Sequence, residues 1–165
     1  MQTLARLDTA PRDVYSRGSE SRLSEPEPHL QLNLPRETAY LGLIRKAVGV
    51  TARELGFGSE DVDLIELAVD EACSNAILYA TEASPKRIHV EVHVTEERFT
   101  ITLIDGNPRY PFDEREIDLE NQVASDERGG LGIYIIKRFM DEVRYDCHPE
   151  QGSVVTMTKL RTVLA

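Results

Sequence analysis

The sequence predicts an α/β two-layer sandwich, a mainly antiparallel sheet with helices on one face, because its hydrophobic period changes along the chain. From about Arg36 to Ala80 apolar residues recur at the helical spacing of about 3.6, and from Ile88 to Leu103 they alternate with a period of two. A further helical run after Gly129-Gly130 and two closing strand-like segments complete the set of elements.

Length and charge bound the function. At 165 residues the chain suits one domain with a core large enough to fold unaided. Its net charge of −10 argues against a nucleic-acid surface, which needs clustered Lys and Arg. Protein or small-molecule partners are the expectation. No apolar run approaches the roughly 18 to 20 residues of a membrane span, and the N-terminus lacks the apolar segment of a signal peptide. A cytoplasmic protein without membrane association is expected. Cys73 and Cys147 lie far apart with no metal-ligand spacing, and both read as ordinary reduced thiols.

Residues 1–28 mix Ser, Arg, Glu and Pro with too little apolar content to offset ordering, which predicts a disordered tail before a domain spanning 29–163. Leu30, Leu32 and Leu34 alternate as a strand stopped by Pro35, and a helix follows over about Arg36 to Leu55. Gly56-Phe-Gly-Ser59 breaks the chain, with Ser59 as N-cap of the next helix and Asp61 and Asp63 in its first turn. Ile88, Val90, Val92 and Val94 then point inward opposite His89, Glu91 and His93. Glu96-Glu97 turns the chain into a second strand with Phe99, Ile101 and Leu103 inward. With no third ligand at a matching position, His89 and His93 read as solvent-facing strand residues. Residues 109–127 are polar and charged, a helix runs from Gly129-Gly130 to about Asp141, and strands over 143–147 and 153–160 flank a turn at Pro149 to Gly152.

Three elements bear on chemistry. In the helix from Asp61 to Ala80, Leu64, Leu67, Ala68, Leu78 and Tyr79 form an apolar stripe that contains Glu71 and Asn75, one turn apart. Asp63, Glu66, Asp70 and Ser74 supply the solvent side. A carboxylate in an apolar stripe needs compensation. A general base beside a metal-binding amide gives one reason for the pair, and a satisfied structural hydrogen-bond pair gives another. Secondly, Thr100 to Ile104 ends at Asp105-Gly106-Asn107-Pro108. This is either a common turn or a carboxylate held at a strand end, beside a glycine that admits a flat ligand. Thirdly, Glu127-Arg-Gly-Gly-Leu-Gly132 precedes the helix Ile133 to Met140. Glycines there serve tight packing, or let a phosphate approach free amides at the positive end of the helix dipole.

In this order the three elements resemble the Bergerat-type (GHKL) ATPases and, among them, the bacterial anti-sigma factor serine/threonine kinases. The resemblance covers about Leu30 to Leu160. It rests on Asp70-Glu-Ala-Cys-Ser-Asn-Ala76, on Arg128-Gly-Gly-Leu-Gly-Ile133 with Phe139-Met-Asp-Glu-Val143, and on Gly152-Ser-Val-Val-Thr-Met-Thr158. One loop departs from the family pattern. There the first glycine box reads Asp, any residue, Gly, whereas Gly106 here follows Asp105 directly. Tyr79-Ala80 also stands where His-Gly or His-Ala is common.

The resemblance implies the Bergerat ATP-binding fold, ATP and Mg2+ as cofactors, Glu71 as general base and Asn75 as the protein ligand to magnesium. It places Asp105 and Gly106 at adenine, and Arg128, Gly129, Gly130, Leu131 and Gly132 at the phosphates beneath a lid over 109–127. Thr156 joins the nucleotide site, and Arg45 on the first helix faces a partner. The implied activity is phosphorylation of a serine or threonine of a small STAS-type anti-sigma-factor antagonist by a homodimer that alternatively sequesters a sigma factor. Alternatives are an ATP-binding anti-sigma module without kinase activity and a nucleotide-free interaction domain. The catalytic half of a sensor histidine kinase is disfavoured, for want of a preceding helical segment with a phosphoacceptor His.

Overall fold

The computed structural model describes residues 27–82, 84–107, 130–148 and 152–161. Within them the chain forms β1 (Leu30–Pro35), a single 3-10 turn (Thr38–Tyr40), α1 (Leu41–Glu54), α2 (Ser59–Leu78), β2 (Arg87–Val94) and β3 (Arg98–Ile104). It continues through α3 (Gly130–Phe139), β4 (Glu142–His148) and β5 (Gly152–Leu160). The strands make one sheet in the order β1-β2-β3-β5-β4, and every pairing is antiparallel.

The period-two alternation becomes two rows across the sheet. Leu30, Val92, Ile101, Met157 and Val143 stand opposite one another in register, and Leu32, Val90, Leu103, Val155 and Tyr145 form the next row. Both rows pack against the helices, with Ile44, Val48 and Ala52 of α1 and Val62, Ile65, Val69, Ala72 and Ala76 of α2 fully buried above them. A fully buried Val, Leu or Ile contributes roughly 1.5–3 kcal/mol, so this single core holds the two layers together. Phe57, between α1 and α2, meets Phe99 of β3 edge to face at 5.3 Å and closes one end of the core.

Three local expectations are corrected. First, α1 starts at Leu41 rather than Arg36. The Arg36 amide donates to Lys86 O at 2.9 Å and so prolongs the β1 attachment, and the chain turns tightly through Glu37 before the helix begins. Second, Ser59 is the first residue of α2; Gly58 occupies the N-cap, its carbonyl accepting from the Val62 amide at 3.0 Å.

Third, the buried stripe of α2 is rotated from the expected one. Leu67 and Leu78 are exposed, whereas Glu66, expected on the solvent side, is buried. The helix is flanked by α1 and α3 as well as seated on the sheet, so its contact surface is wider than one stripe. Gly49 on α1 makes the room for Glu66: a Cβ there would lie 2.2 Å from Glu66 Oε1. Lys46 Nζ donates to Glu66 Oε2 at 2.7 Å and supplies the counter-charge.

Candidate nucleotide site

The N-terminal turn of α3 crosses α2 where Glu71 and Asn75 lie. A Cβ on Gly132 would be 2.7 Å from Glu71 Oε2, 3.2 Å from Asn75 Nδ2 and 3.4 Å from Asn75 Oδ1, so the third glycine of the run is there for close approach. The first amides of α3 have no intrahelical acceptors and carry the positive end of its dipole, and Gly132 sets this first turn beside Glu71 and Asn75. Glu71 is half-buried, and its burial, followed by the neighbouring Asp70 charge, raises its pKa above the ordinary glutamate value. That direction suits a base that collects a proton.

Asn75 bears on the two readings of the pair. It is 5% exposed, and its buried Nδ2 has no hydrogen-bond partner among the described residues. A satisfied structural pair does not leave such an atom, because an orphaned buried donor costs about 1–3 kcal/mol. The amide end carries one acceptor and one donor. It therefore fits a magnesium ion on its oxygen and a phosphate oxygen on its nitrogen.

Asp105 stands at the end of β3 and is 2% exposed. Its own amide donates to Ser153 O at 3.2 Å; the Asn107 amide donates to Oδ1 and Asn107 Nδ2 to Oδ2, each at 2.9 Å. Burial raises the Asp105 pKa, and the Asn107 donors and the Arg36 charge oppose the rise. The turn below is clamped by backbone. Gly106 adopts φ +67° with Pro85 against it, and Gly152 adopts φ +73° directly over the Gly106 backbone. Asn107 also accepts from Ser84 Oγ, donates to Ala76 O at 3.4 Å, and accepts from Ser153 at its carbonyl, which ties this turn to α2 one residue past Asn75.

Glu71, Asn75 and Gly132 are thus brought together, with Asp105 and Gly106 attached through Asn107. Gly130 and Leu131 open α3, and Leu131 is exposed. Arg128, Gly129 and the 109–127 lid lie outside the described residues. Thr156 is corrected. In register with Thr102 and alternating with the core residues Val155 and Met157, it points to the sheet face away from the helices, and the β5 residue that reaches Asp105 is Ser153. Arg45 Nη1 lies 3.5 Å from Asp70 Oδ1, a half-exposed pair beside Glu71. Sequence reasoning missed Asn107, Ser84, Ser153 and Arg36; a polar residue straight after Asp-Gly was the available signal for Asn107.

Other titratable groups near the core are explained by the fold. Cys73 is buried on α2, where desolvation pushes its thiol up to about 12, and Cys147 is exposed on β4. On the outer sheet face Glu91 lies between His89 and His93; burial opposes its ionisation, but hydrogen bonds and charge from His89, with Gln31 and His93, hold its pKa below the ordinary glutamate value.

Residues 34–159 match the sequence model of the histidine kinase-like ATPase domain. The chain belongs to that family. Among curated proteins it is similar to the serine-protein kinase RsbW of Bacillus subtilis (strain 168), 30% identical over 137 residues that cover 79% of this chain and 84% of the relative. The serine-protein kinase RsbW of Bacillus velezensis is 29% identical over 143 residues, covering 83% and 88%. The anti-sigma kinase resemblance carried by the sequence motifs is therefore shown at the level of family. Among solved structures, a chain of the SiaB-SiaC complex from Pseudomonas aeruginosa superposes with a TM-score of 0.58 at 14% identity, covering 82% of this chain and 90% of that one. That likeness supports the two-layer fold. As a member of this family the chain is an ATP-binding domain. Among the described residues no helix is long and apolar enough to cross a membrane.

Proposed function

We propose that the chain is an ATP-dependent protein serine/threonine kinase that regulates a sigma factor by partner switching. The observation that carries this reading is the convergence of the Glu71 carboxylate and the unpartnered Asn75 amide on Gly132 at the start of α3. The relatives named serine-protein kinase give the reaction class.

Phosphoryl transfer demands positioning, charge neutralisation and a base more than covalent chemistry. Gly132 leaves the space in which the phosphates would meet the free amides of α3, and the family resemblance gives Arg128, Gly129, Gly130 and Leu131 a phosphate-binding role. Asn75 would hold Mg2+ through its amide oxygen, and the bound ion would neutralise phosphate charge. Glu71, one turn away, accepts the proton of the serine or threonine hydroxyl as that oxygen attacks the γ-phosphorus, the bond to the β–γ bridging oxygen breaks and ADP leaves. Asp105 accepts a hydrogen bond from the adenine amino group beside Gly106. The substrate is a STAS-type anti-sigma-factor antagonist and the alternative partner a sigma factor. The kinase acts in the cytoplasm as a homodimer, and Arg45 on α1 lies on the partner-facing side.

The test is transfer of label from γ-32P-ATP to STAS-type proteins encoded by the same organism, followed by phosphoamino-acid analysis. Phosphoserine or phosphothreonine on one of them is expected. Label on histidine, or a sigma factor held by an ATP-loaded chain that transfers nothing, contradicts the kinase.

A further inference from the structure

Asn107 sits where the chain departs from the sequence pattern of its family, and its environment is constructed. It is 2% exposed; its backbone amide and its side-chain Nδ2 each donate to one oxygen of Asp105, at 2.9 Å, and Nδ2 also donates to Ala76 O at 3.4 Å. Ser84 Oγ holds its side-chain oxygen, and Ser153 holds its backbone carbonyl through N and Oγ at 2.9 and 3.0 Å. Gly106 and Gly152, both at positive φ, allow the backbone to close around it. A carboxylate takes about four hydrogen bonds; two come from Asn107, so acceptor capacity remains on both oxygens while the plane of the group is fixed. Among the described residues, burial raises the Asp105 pKa, the Asn107 donors and the Arg36 charge from the end of β1 oppose the rise, and the Cys73 thiol of α2, pushed up to about 12, stays neutral.

We propose that Asn107 is the positioning residue for base recognition: its backbone amide and side-chain Nδ2 hold the Asp105 carboxyl turned as an acceptor. The site thereby takes a purine with an exocyclic amino group and rejects a 6-oxo purine. This inference rests on the reading of Asp105 as the adenine contact. An amino group donates to such a carboxylate, whereas a 6-oxo oxygen meets it acceptor to acceptor, a mismatch that leaves buried polar groups unpaired. Asn107→Ala withdraws the side-chain donor from a buried carboxylate and leaves only the backbone amide, so Asp105 retains its proton to higher pH and becomes able to donate.

Calorimetric titration of the full chain with Mg-ATP and Mg-ITP at pH 6, 7 and 8 tests this, for wild type, Asn107→Ala, Asn107→Asp and Asp105→Ala, with thermal unfolding in parallel. Wild type is expected to prefer ATP by about tenfold or more. Asn107→Ala is expected to lose about tenfold in ATP affinity at pH 6, to regain part of it by pH 8, and to narrow the ATP/ITP ratio most at pH 6. Asn107→Asp keeps the volume and backbone ties and shifts the same way, so the proposal stays testable should the alanine variant fold poorly. Equal losses for both nucleotides at every pH, or no loss, overturn the role of Asn107 while Asp105→Ala still weakens ATP. Unchanged ATP affinity in Asp105→Ala overturns the adenine reading itself and the inference with it.

Discussion

Replacing Glu71 with Gln is expected to slow phosphoryl transfer by roughly 10²–10⁴-fold, the usual contribution of a positioned general base. Mg-ATP affinity should stay within about threefold, because the amide preserves the shape of the carboxyl beside Gly132 and removes only its basicity. The wild-type enzyme carries a further signature. Burial and the Asp70 charge raise the Glu71 pKa, so the group is protonated and idle at low pH and becomes a base as pH rises through the raised value. The single-turnover rate therefore climbs on the acid side with a midpoint above that of an ordinary glutamate, and Glu71→Gln loses this limb. A variant that transfers phosphate at the wild-type rate would remove Glu71 from the chemistry.

The largest stability effect is expected at Gly152. Its φ of +73° is a region that L side chains rarely adopt, and a Cβ there would lie 2.3 Å from Gly106 C, 2.5 Å from Gly106 Cα and 2.6 Å from Gly106 O. Those are backbone atoms. They have no room to retreat, because Gly106 is itself pressed against Pro85, where a Cβ would fall 2.3 Å from Cγ. Strain and overpacking each cost about 1–3 kcal/mol, so Gly152→Ala is expected to lose about 3 kcal/mol and to lower Tm by roughly 6–12 °C. ATP binding should weaken with it, since the clamp holds Asp105 and Asn107. Gly42→Ala is the control. Nothing lies within 4 Å of a Cβ there, so this helical substitution should raise stability by about 0.5–1 kcal/mol. A Gly152→Ala protein that melts with the wild type would contradict the clamp.

How much of this was legible from residues alone follows from the kind of signal each feature leaves. The inward side of the hairpin is legible because alternation has a period of two, and a slip would turn Val90 and Ile101 to the other face. The inward side of α2 was misjudged, because a helix packed on three sides has no single stripe. Glu66 is buried only through Gly49 and Lys46, which sit on another helix. Glu71, Asn75 and Gly132 were each picked out, but their meeting depends on how α3 crosses α2, which spacing along the chain does not encode. The Asp105 turn departs from the family pattern in sequence, yet in space Asn107, Ser84 and Ser153 lock it into one network. Thr156 and Ser153 lie three residues apart on one strand, so alternation puts them on opposite faces of the sheet, and the burial of Val155 and Met157 turns Thr156 away from the helices.

The central claim is that Asn75, with its unpartnered buried amide, receives a magnesium-bound nucleotide beside Glu71. Calorimetric titration of the purified chain with ATP, with and without magnesium, for wild type and Asn75→Ala, tests it most directly. Saturable, magnesium-dependent binding by the wild type and its loss in Asn75→Ala at unchanged fold are expected. Binding that ignores both magnesium and the Asn75 substitution, or no binding by a well-folded wild type, would contradict it.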